Sequence, residues 1–432
     1  MVSARSVNAI WLIRNCWHNR RAFIWTAAAL AFLLRIAACF AINIFESDPW
    51  VDRWAFGWEY GRIARWLVER GVFSLDGVVP TSETDPLYSF IIAPFFYVFG
   101  SFTIGAGIAL VVLQALLCGL TTWAIFVLAE KLYGPTEARI AALLFACYPG
   151  SIFFAVSRIG PTPLSILLLC LLFIVILGVP NVRRFTPAVL GGLLAGLLVL
   201  TTGHTLSLLL VIPLWLFLVS KGQRMRMAVA SLLFVGTATL VLIPWSVRNS
   251  MVFGEPSFSK SNLDYHLWVG NNPNAKGYYV KDPSHAIRAR GEISPPYYRM
   301  AFSWIAHNPE QFVILTLKRI KYFWYITPDR GNSARELLHV WIFLSVVGFA
   351  LVGVIWSGES FSRINLPLLF IGIFPVLFYV TNPSFYRHRI QMEPFVLILA
   401  SHGLYRLWST VVGSSSEGRE LSAQPIHGTV TQ

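Results

Sequence analysis

The sequence is short of charged residues. Asp, Glu, Lys and Arg together make up 13% of its 432 residues, while 56% of the residues are hydrophobic. Soluble domains carry about 25% charged residues, so half of the expected charge is missing. A soluble core cannot bury this much apolar surface, whereas a bilayer accepts apolar helices along their whole length. The composition excludes an ordinary soluble domain and predicts an all-α polytopic membrane protein.

Cysteine is also scarce, and its few positions form no pattern. No C-x-x-C pair and no metal-ligand spacing occurs, which excludes a disulfide framework and a zinc site as readings of the sequence. Four of the five cysteines lie within apolar runs, so we interpret them as small packing residues. They are Cys16, Cys39, Cys118, Cys147 and Cys170. We expect no metal site and no resident cofactor, although a divalent metal ion stays compatible with the chain.

Acids are the scarcer charge, with 21 Asp and Glu against 34 Lys and Arg, a formal net charge of +13. A basic balance can indicate nucleic acid, but a membrane protein first collects Lys and Arg in its cytoplasmic loops. Residues 1–21 contain four arginines and no acid. The apolar run that follows, 22–44, is too long for the apolar region of a cleaved signal peptide. We interpret it as an uncleaved first span with a cytoplasmic N-terminus.

Spanning-length apolar runs recur along the chain and predict about ten to twelve transmembrane helices. They lie near 22–44, 103–130, 138–156, 162–180, 186–202, 204–220, 228–246, 336–357, 364–381 and 390–410. The shorter run 86–99 contains two prolines and is predicted to dip into the membrane without crossing. If it does not cross, the basic loops fall on one side. The opposite, outer face then receives 45–85, 247–335 and 381–389. Within 247–335 the run "YYRMAFSWIAHNPEQFVILTLKRIKYFW" is predicted to be helical, with its latter part lying at the interface.

The first outer loop holds eight of the acids, an excess that topology does not explain. Within it, "FGWEYGRIARWLVERG" places Trp58, Arg62, Arg65 and Glu69 on one helical stripe, with Glu59 directly after Trp58. A surface helix with solvated Glu59–Arg62 and Arg65–Glu69 pairs explains this spacing. A catalytic carboxylate at Glu59 is the alternative, and spacing alone favours the surface pairs.

Two further groups of polar residues lie at predicted outer positions. "FYRHRIQMEP" at 385–394 brings two arginines and a histidine to the end of the last span, where they snorkel at the interface or bind a lipid phosphate. Arg248 in "PWSVRN" and Asn271 and Asn272 in "GNNP" suit sugar hydroxyls or phosphate oxygens, although a capped turn explains the asparagines as well.

These motifs occur in an order that resembles a known family. An acidic outer loop with an aromatic-flanked Glu59 precedes "PTSETDPLY" at 80–88, and "PWSVRN", "GNNP" and "YRHRIQMEP" follow. Over residues 22–410 this order is similar to the bacterial membrane glycosyltransferases of the GT-C superfamily. These enzymes are related to the protein O-mannosyltransferases and to the aminoarabinose transferase that modifies lipid A. The resemblance implies a GT-C-like transmembrane domain over 1–410, followed by a polar tail, 411–432, predicted to be disordered.

The resemblance also implies the catalytic residues. The family uses an acid of its first outer loop as base, a role that it carries to Glu59. Trp58 stands where the family has Asp, so a single carboxylate remains to accept a proton. Asp85 stands where the family often has a basic or neutral residue, and it becomes a second candidate acid.

The resemblance implies donor and substrate sites as well. Donor-phosphate binding falls on the late basic motif and on the arginine before the second outer loop: Tyr386, Arg387, His388, Arg389 and Arg248. The candidate substrate-binding residues are Arg62, Arg65, Tyr88, Asn271 and Asn272, of which Arg62 and Arg65 are interpreted as partners that orient Glu59.

The function expected from these residues is transfer of a sugar from a polyprenyl-phosphate donor to a lipid, glycan or protein acceptor. It would occur at the outer, periplasmic face of the inner membrane, without nucleic acid as a partner. A transporter or flippase of lipid-linked sugars is a rival reading, but it should carry ionisable residues or broken helices in mid-membrane. Here Arg35 and Gln114 are the main polar residues within spans. A surface-polysaccharide ligase is the second rival.

Overall fold

The computed structural model describes residues 17, 19–41, 57–220, 222–254, 263–278, 296–325, 334–358, 361–381 and 386–422. These residues form helices and the turns between them, and no strand occurs among them beyond one isolated bridge between Ser74 and Pro80. The all-α prediction is confirmed for this part of the chain.

The described helices follow one another along the chain. From the start of the chain to the second outer loop they are α1 (Arg20–Ala41), α2 (Arg62–Arg70, preceded by a π-turn at Gly57–Gly61), α3 (Pro86–Phe99), α4 (Ile104–Leu132), α5 (Pro135–Cys147), α6 (Pro149–Val156), α7 (Thr162–Ile176), α8 (Thr186–Thr201), α9 (Leu208–Leu218) and α10 (Arg224–Phe253). After it come α11 (Leu263–Gly270), α12 (Tyr297–His307), α13 (Pro309–Trp324), α14 (Ala334–Ile355), α15 (Phe361–Ile373), α16 (Val376–Thr381), α17 (Tyr386–Arg389) and α18 (Glu393–Ser422).

The described helices include several that can cross a bilayer. Six are long and apolar enough by themselves, and the bent pair α5 and α6 makes up to seven. Shorter apolar helices, of 10–17 residues, lie at Pro86–Phe99, Thr186–Thr201 and Gly203–Leu218. The chain is therefore a multi-pass membrane protein, whereas the count of ten to twelve spans stays a prediction.

The break between α5 and α6 is held by a buried arginine of the first span. Pro149 has no N–H, so the helical hydrogen bond to the carbonyl of Phe145 is lost and the two helices meet at 45°. Arg35 donates to the carbonyl oxygens of Ala146 (2.6 Å) and Phe145 (3.2 Å) and to the hydroxyl of Ser151 (2.7 Å). The polar residue that the sequence places in mid-span thus satisfies backbone groups at a broken helix.

Helices α14 and α18 approach each other backbone to backbone. A Cβ atom at Gly353 would collide with the carbonyl oxygen of Leu399, and one at Gly403 would collide with that of Phe349. Small residues allow this close approach between membrane helices. The contact fixes the last span against α14.

Three boundaries differ from the sequence-based prediction. The second outer loop was expected from residue 247, but α10 continues to Phe253, so Arg248 lies on a helix. The helical run "YYRMAFSWIAHNPEQFVILTLKRIKYFW" was expected as one helix, but it divides at Asn308 because Pro309 disfavours a helical residue before it. Helix α18 continues to Ser422, into the segment 411–432 that was predicted to be disordered.

Candidate active site

Glu59 lies in the π-turn that leads into α2. The buried face of α2, with Ile63 and Ala64, holds this helix against the bundle and leaves Glu59 exposed. The hydroxyl of Thr84 donates to Glu59 Oε2 across 3.4 Å. Asp85 is the next residue along the chain, so the two candidate acids lie in the same corner of the first outer loop.

The segment between the two acids is a tightly bonded turn. Asp76 Oδ1 accepts hydrogen bonds of 2.8 Å from the N–H groups of Val78 and Val79 and from the hydroxyl of Ser74. Partial burial acts to raise the pKa of Asp76, but these hydrogen bonds to the charged form hold that pKa below its usual value. Gly77 has a φ of +80°, and a Cβ there would lie 2.5 Å from the Trp66 ring. These hydrogen bonds and the close contact of Gly77 with Trp66 therefore fix the shape of the turn.

Asp85 and Tyr88 belong to the start of α3. Asp85 directly precedes α3, whose first residue is Pro86. Only 2% of the surface of Asp85 is exposed. Tyr88 is fully buried and donates a 2.8 Å hydrogen bond to Gln114 Oε1. The Tyr88 ring meets the Tyr60 ring edge to face, with the centroids 5.8 Å apart.

Gln114 is the centre of a buried network that the sequence reasoning missed as part of the site. Its Oε1 also accepts from the N–H of Gly160 (2.8 Å), and its Nε2 donates to the carbonyl oxygen of Ala155 (2.6 Å) and, at 3.2 Å, to that of Arg158. One amide thus ties the α3 helix, through Tyr88, to the turn between α6 and α7. A lone amide in a span was the only signal available in the sequence.

Arg248 attaches the same loop to the end of α10. Its guanidinium donates to the carbonyl oxygen of Thr81 (2.8 Å) and to Asn249 Oδ1 (2.9 Å), and it lies over the rings of Phe73 and Trp245. These contacts position the turn that precedes Asp85. Its expected role toward a donor phosphate stays a prediction.

Arg62 and Arg65 lie on α2, directly after Glu59. The expected Arg65–Glu69 pair is confirmed, with 2.8 Å between Nε and Oε1, and both side chains are partly exposed. Arg65 also stacks over Trp66. Arg62 is half-buried, and its expected pairing with Glu59 stays a prediction.

The late basic motif forms a second group of polar side chains. Arg389 donates to Glu393 Oε1 across 3.0 Å and lies 3.5 Å from the ring centroid of Phe343, with both members of the ion pair buried. Another guanidinium nitrogen of Arg389 reaches the carbonyl oxygens of Phe323 and Trp324. The ring of His388 stacks on Phe378. The side chains of Tyr386 and Arg387 lie outside the described residues.

Asn271 and Asn272 bond to main-chain groups. The amide of Asn271 donates to the carbonyl oxygens of Leu267 (2.8 Å) and Val380 (2.9 Å), while that of Asn272 donates to Trp268 and Val269. Asn271 Oδ1 accepts from Arg319, a buried arginine that the sequence reasoning missed. These bonds fit the capped-turn alternative for both asparagines.

Arg319 joins α11, α13 and α16. It donates to the carbonyl oxygens of Gly270, Tyr379 and Val380. Burial lowers the pKa of Arg319 to about 10, so the guanidinium remains charged at neutral pH. The sequence could have indicated the burial of Arg319 only through its position on the apolar face of an amphipathic helix.

The two groups of polar residues lie near the start of α7. Ile390, directly after Arg389, lines a small cavity with Ser151, Thr162 and Pro163. Gly160, two residues before α7, is bonded to Gln114 and through it to Tyr88. The first outer loop and the turn after α17 therefore approach the same end of the bundle. Among the described residues, no three His, Cys, Asp or Glu side chains converge as metal ligands would.

The fold resembles that of known membrane glycosyltransferases. The Archaeoglobus fulgidus oligosaccharyltransferase in its apo form matches 95% of this chain with a TM-score of 0.58 and 16% identity. The same organism's AglB, in complex with an inhibitory peptide and a dolichol-phosphate, matches 97% with a TM-score of 0.55 and 15% identity. ArnT from Cupriavidus metallidurans in the apo state matches 99% with a TM-score of 0.50 and 13% identity. The described part of this chain therefore shares its fold with these transferases.

Part of the sequence also matches a protein-family model. Residues 80–248 match the model of the dolichyl-phosphate-mannose-protein mannosyltransferases. The matched segment runs from the "PTSETDPLY" element to Arg248, so the predicted resemblance to this group is confirmed. The chain spans 53% of the two archaeal structures' length and 66% of the ArnT structure's length. No curated protein sequence matches the chain.

Proposed function

We propose that this protein is a glycosyltransferase that moves a sugar from a polyprenyl-phosphate donor to a lipid, glycan or protein acceptor. The match of residues 80–248 to the mannosyltransferase family carries this proposal. The GT-C fold supports it, as does the pair of acids at the corner of the first outer loop. The sugar and the acceptor stay open.

Sugar transfer from polyprenyl phosphate needs a base for the acceptor hydroxyl and an apolar groove for the donor lipid. It does not depend on a general acid. The acceptor hydroxyl would give its proton to the Glu59 carboxylate as its oxygen bonds to the anomeric carbon of the sugar. The bond from that carbon to the phosphate oxygen breaks, and the electron pair leaves with polyprenyl phosphate. Because this leaving group is already anionic and stable, cations that stabilise its charge suffice.

Glu59 is the better candidate base because it is exposed to an incoming acceptor, whereas Asp85 is buried at the start of α3. Thr84, which donates to Glu59 and precedes Asp85, would orient the carboxylate. Arg387 is proposed to contact the donor phosphate, as arginine does in bidentate fashion, at the outer face of the inner membrane.

Substitution of Glu59 tests the base directly. The Glu59→Gln variant should release polyprenyl phosphate from a polyprenyl-phosphate sugar about 10²- to 10⁴-fold more slowly, since it lacks a proton acceptor. Its affinity for the donor, measured by native mass spectrometry, should not change. Glu69→Gln is the matched control, because Glu69 is an exposed acid of the same loop that pairs with Arg65. Normal turnover in Glu59→Gln would sink the assignment.

Substitution of Arg387 tests the donor site separately. The Arg387→Ala variant should bind the donor about tenfold or more weakly, because a charge-assisted hydrogen bond contributes about 1.5–3 kcal/mol. Binding of polyprenyl phosphate alone, without the sugar, should fall by the same factor. Unchanged affinity for both ligands would remove Arg387 from the phosphate site.

A further inference from the structure

The turns that follow α7 and α9 meet at one end of the molecule and border an open cavity. Arg226, in the first turn of α10, donates to the carbonyl oxygens of Val179, Pro180 and Val182. This arginine therefore fastens the two turns together. The cavity between them has a volume of about 590 Å³, and its lining residues are Pro180, Asn181, Arg183, Gln223 and Arg226.

The surroundings of the cavity carry positive charge with no acid close in sequence. Neither 177–190 nor 217–230 contains an Asp or a Glu. Arg183, Arg184 and Arg224 are exposed there, while Arg226 holds the turns. The cavity therefore attracts an anion, and arginine grips a phosphate group with two parallel hydrogen bonds.

Exposed hydrophobic residues lie next in sequence to the residues that line the cavity, and we refer to them as its apolar rim. Val182, Phe217, Leu218 and Met225 belong to the same two turns and helix ends, and each is an exposed large hydrophobic residue. The guanidinium of Arg224 lies 5.7 Å from the ring centroid of Phe217, so charge and hydrocarbon adjoin directly. A soluble phosphate leaves this apolar rim uncovered, whereas an anion with attached hydrocarbon chains covers it.

The cavity lies at the opposite end of the bundle from the candidate active site. Helix α10 has 30 residues, a length of about 45 Å. It begins at Arg224, beside the cavity, and near its other end Arg248 donates to Thr81 in the first outer loop. The distribution of Lys and Arg predicts that the cavity end is cytoplasmic. The donor proposed above binds at the other end.

We propose that this cavity is a binding site for the head group of an anionic phospholipid of the inner leaflet. The phosphate binds Arg183 and Arg184, and the acyl chains lie along Val182, Phe217 and Leu218. Basic pockets between membrane helices on the cytoplasmic side suit such head groups. The site is independent of the proposed sugar transfer.

The test uses the purified full chain in a neutral detergent. Phosphatidylglycerol is titrated while bound lipid is counted by native mass spectrometry, with phosphatidylcholine as the neutral lipid. Each arginine near an anionic lipid contributes a factor of roughly five in affinity. The double variant R183A/R184A should therefore bind phosphatidylglycerol about thirtyfold more weakly, with unchanged binding of phosphatidylcholine.

A matched control separates a site from general attraction. R21A/K131A removes two exposed cations from the ends of α1 and α4, away from the cavity, and it should bind phosphatidylglycerol as the unmodified chain does. Equal weakening in both double variants would overturn the proposal, as would a full block by millimolar inorganic phosphate, which would indicate a site for soluble anions. R183K/R184K, which keeps the charge, should retain most of the affinity if R183A/R184A proves unstable; loss there as well would also overturn it.

Discussion

At the scale of single residues, buried arginines hold this protein's main chain in place. Arg35, Arg319 and Arg389 are all buried, and each donates to main-chain carbonyl oxygens. A buried guanidinium is costly unless its N–H groups are satisfied. The sequence shows the positions of these arginines but gives no information about which carbonyls they reach, because the carbonyl acceptors of Arg319 lie 49 to 61 positions away.

Arg319 offers the clearest test of this role. Arg319→Lys should lower the free energy of unfolding by about 3 kcal/mol or more, because one ammonium cannot reach the carbonyls of Gly270, Tyr379 and Val380 together, and unpaired buried carbonyls are costly. Thermal unfolding in detergent measures this change. Lys321→Ala, on the exposed face of the same helix, should be neutral, and a stable Arg319→Lys would contradict the assignment.

At the scale of elements, the apolar runs predicted the helices well and their ends poorly. The run at 86–99 was predicted as a short element, and α3 is such a helix, Pro86–Phe99. The predicted single helix before Trp324 failed because one proline outweighs the amphipathic pattern around it. The candidate site was predictable only as a list of residues. Thr84 and Gln114 join it through contacts between elements distant in sequence.

Gln114 connects α3 to the turn before α7, so its substitution should disturb the site without unfolding the chain. Gln114→Leu leaves the Tyr88 hydroxyl and the Gly160 N–H without their acceptor. We expect kcat to fall at least tenfold, because small displacements of a site cost this much, with donor affinity unchanged. Leu116→Ala, at an exposed position two residues away, is the control. Unchanged kcat in Gln114→Leu would exclude the positioning role.

At the scale of the whole molecule, the two ends differ in chemistry. One end carries Glu59, Asp85, the Arg389–Glu393 pair and the amide network, while the other carries exposed arginines. The alternation of Lys and Arg predicted this polarity from sequence. The approach of the two site groups near α7 could not be predicted, since it depends on how the spans pack.

Cysteine labelling tests the orientation. In a background without native cysteines, Val78→Cys, at an exposed position of the first outer loop, should react with a membrane-impermeant thiol reagent in intact cells. Arg184→Cys, at the cavity end, should react only after the cells are opened. Labelling of Arg184→Cys in intact cells would reverse the predicted topology.

The close glycine contact between α14 and α18 has a consequence for the Arg389–Glu393 pair, farther along the same two helices. Phe343, which lies under the guanidinium of Arg389, belongs to the same helix as Gly353, and Glu393 belongs to the same helix as Gly403. Ten residues of helix separate Phe343 from Gly353, about 15 Å. The distance between the two helices at Gly353 and Gly403 therefore also determines the distance between Phe343 and Glu393, which contact Arg389 from either helix. Alanine at either glycine would push the two helices apart and weaken the Arg389–Glu393 ion pair, although the added methyl group does not contact that pair.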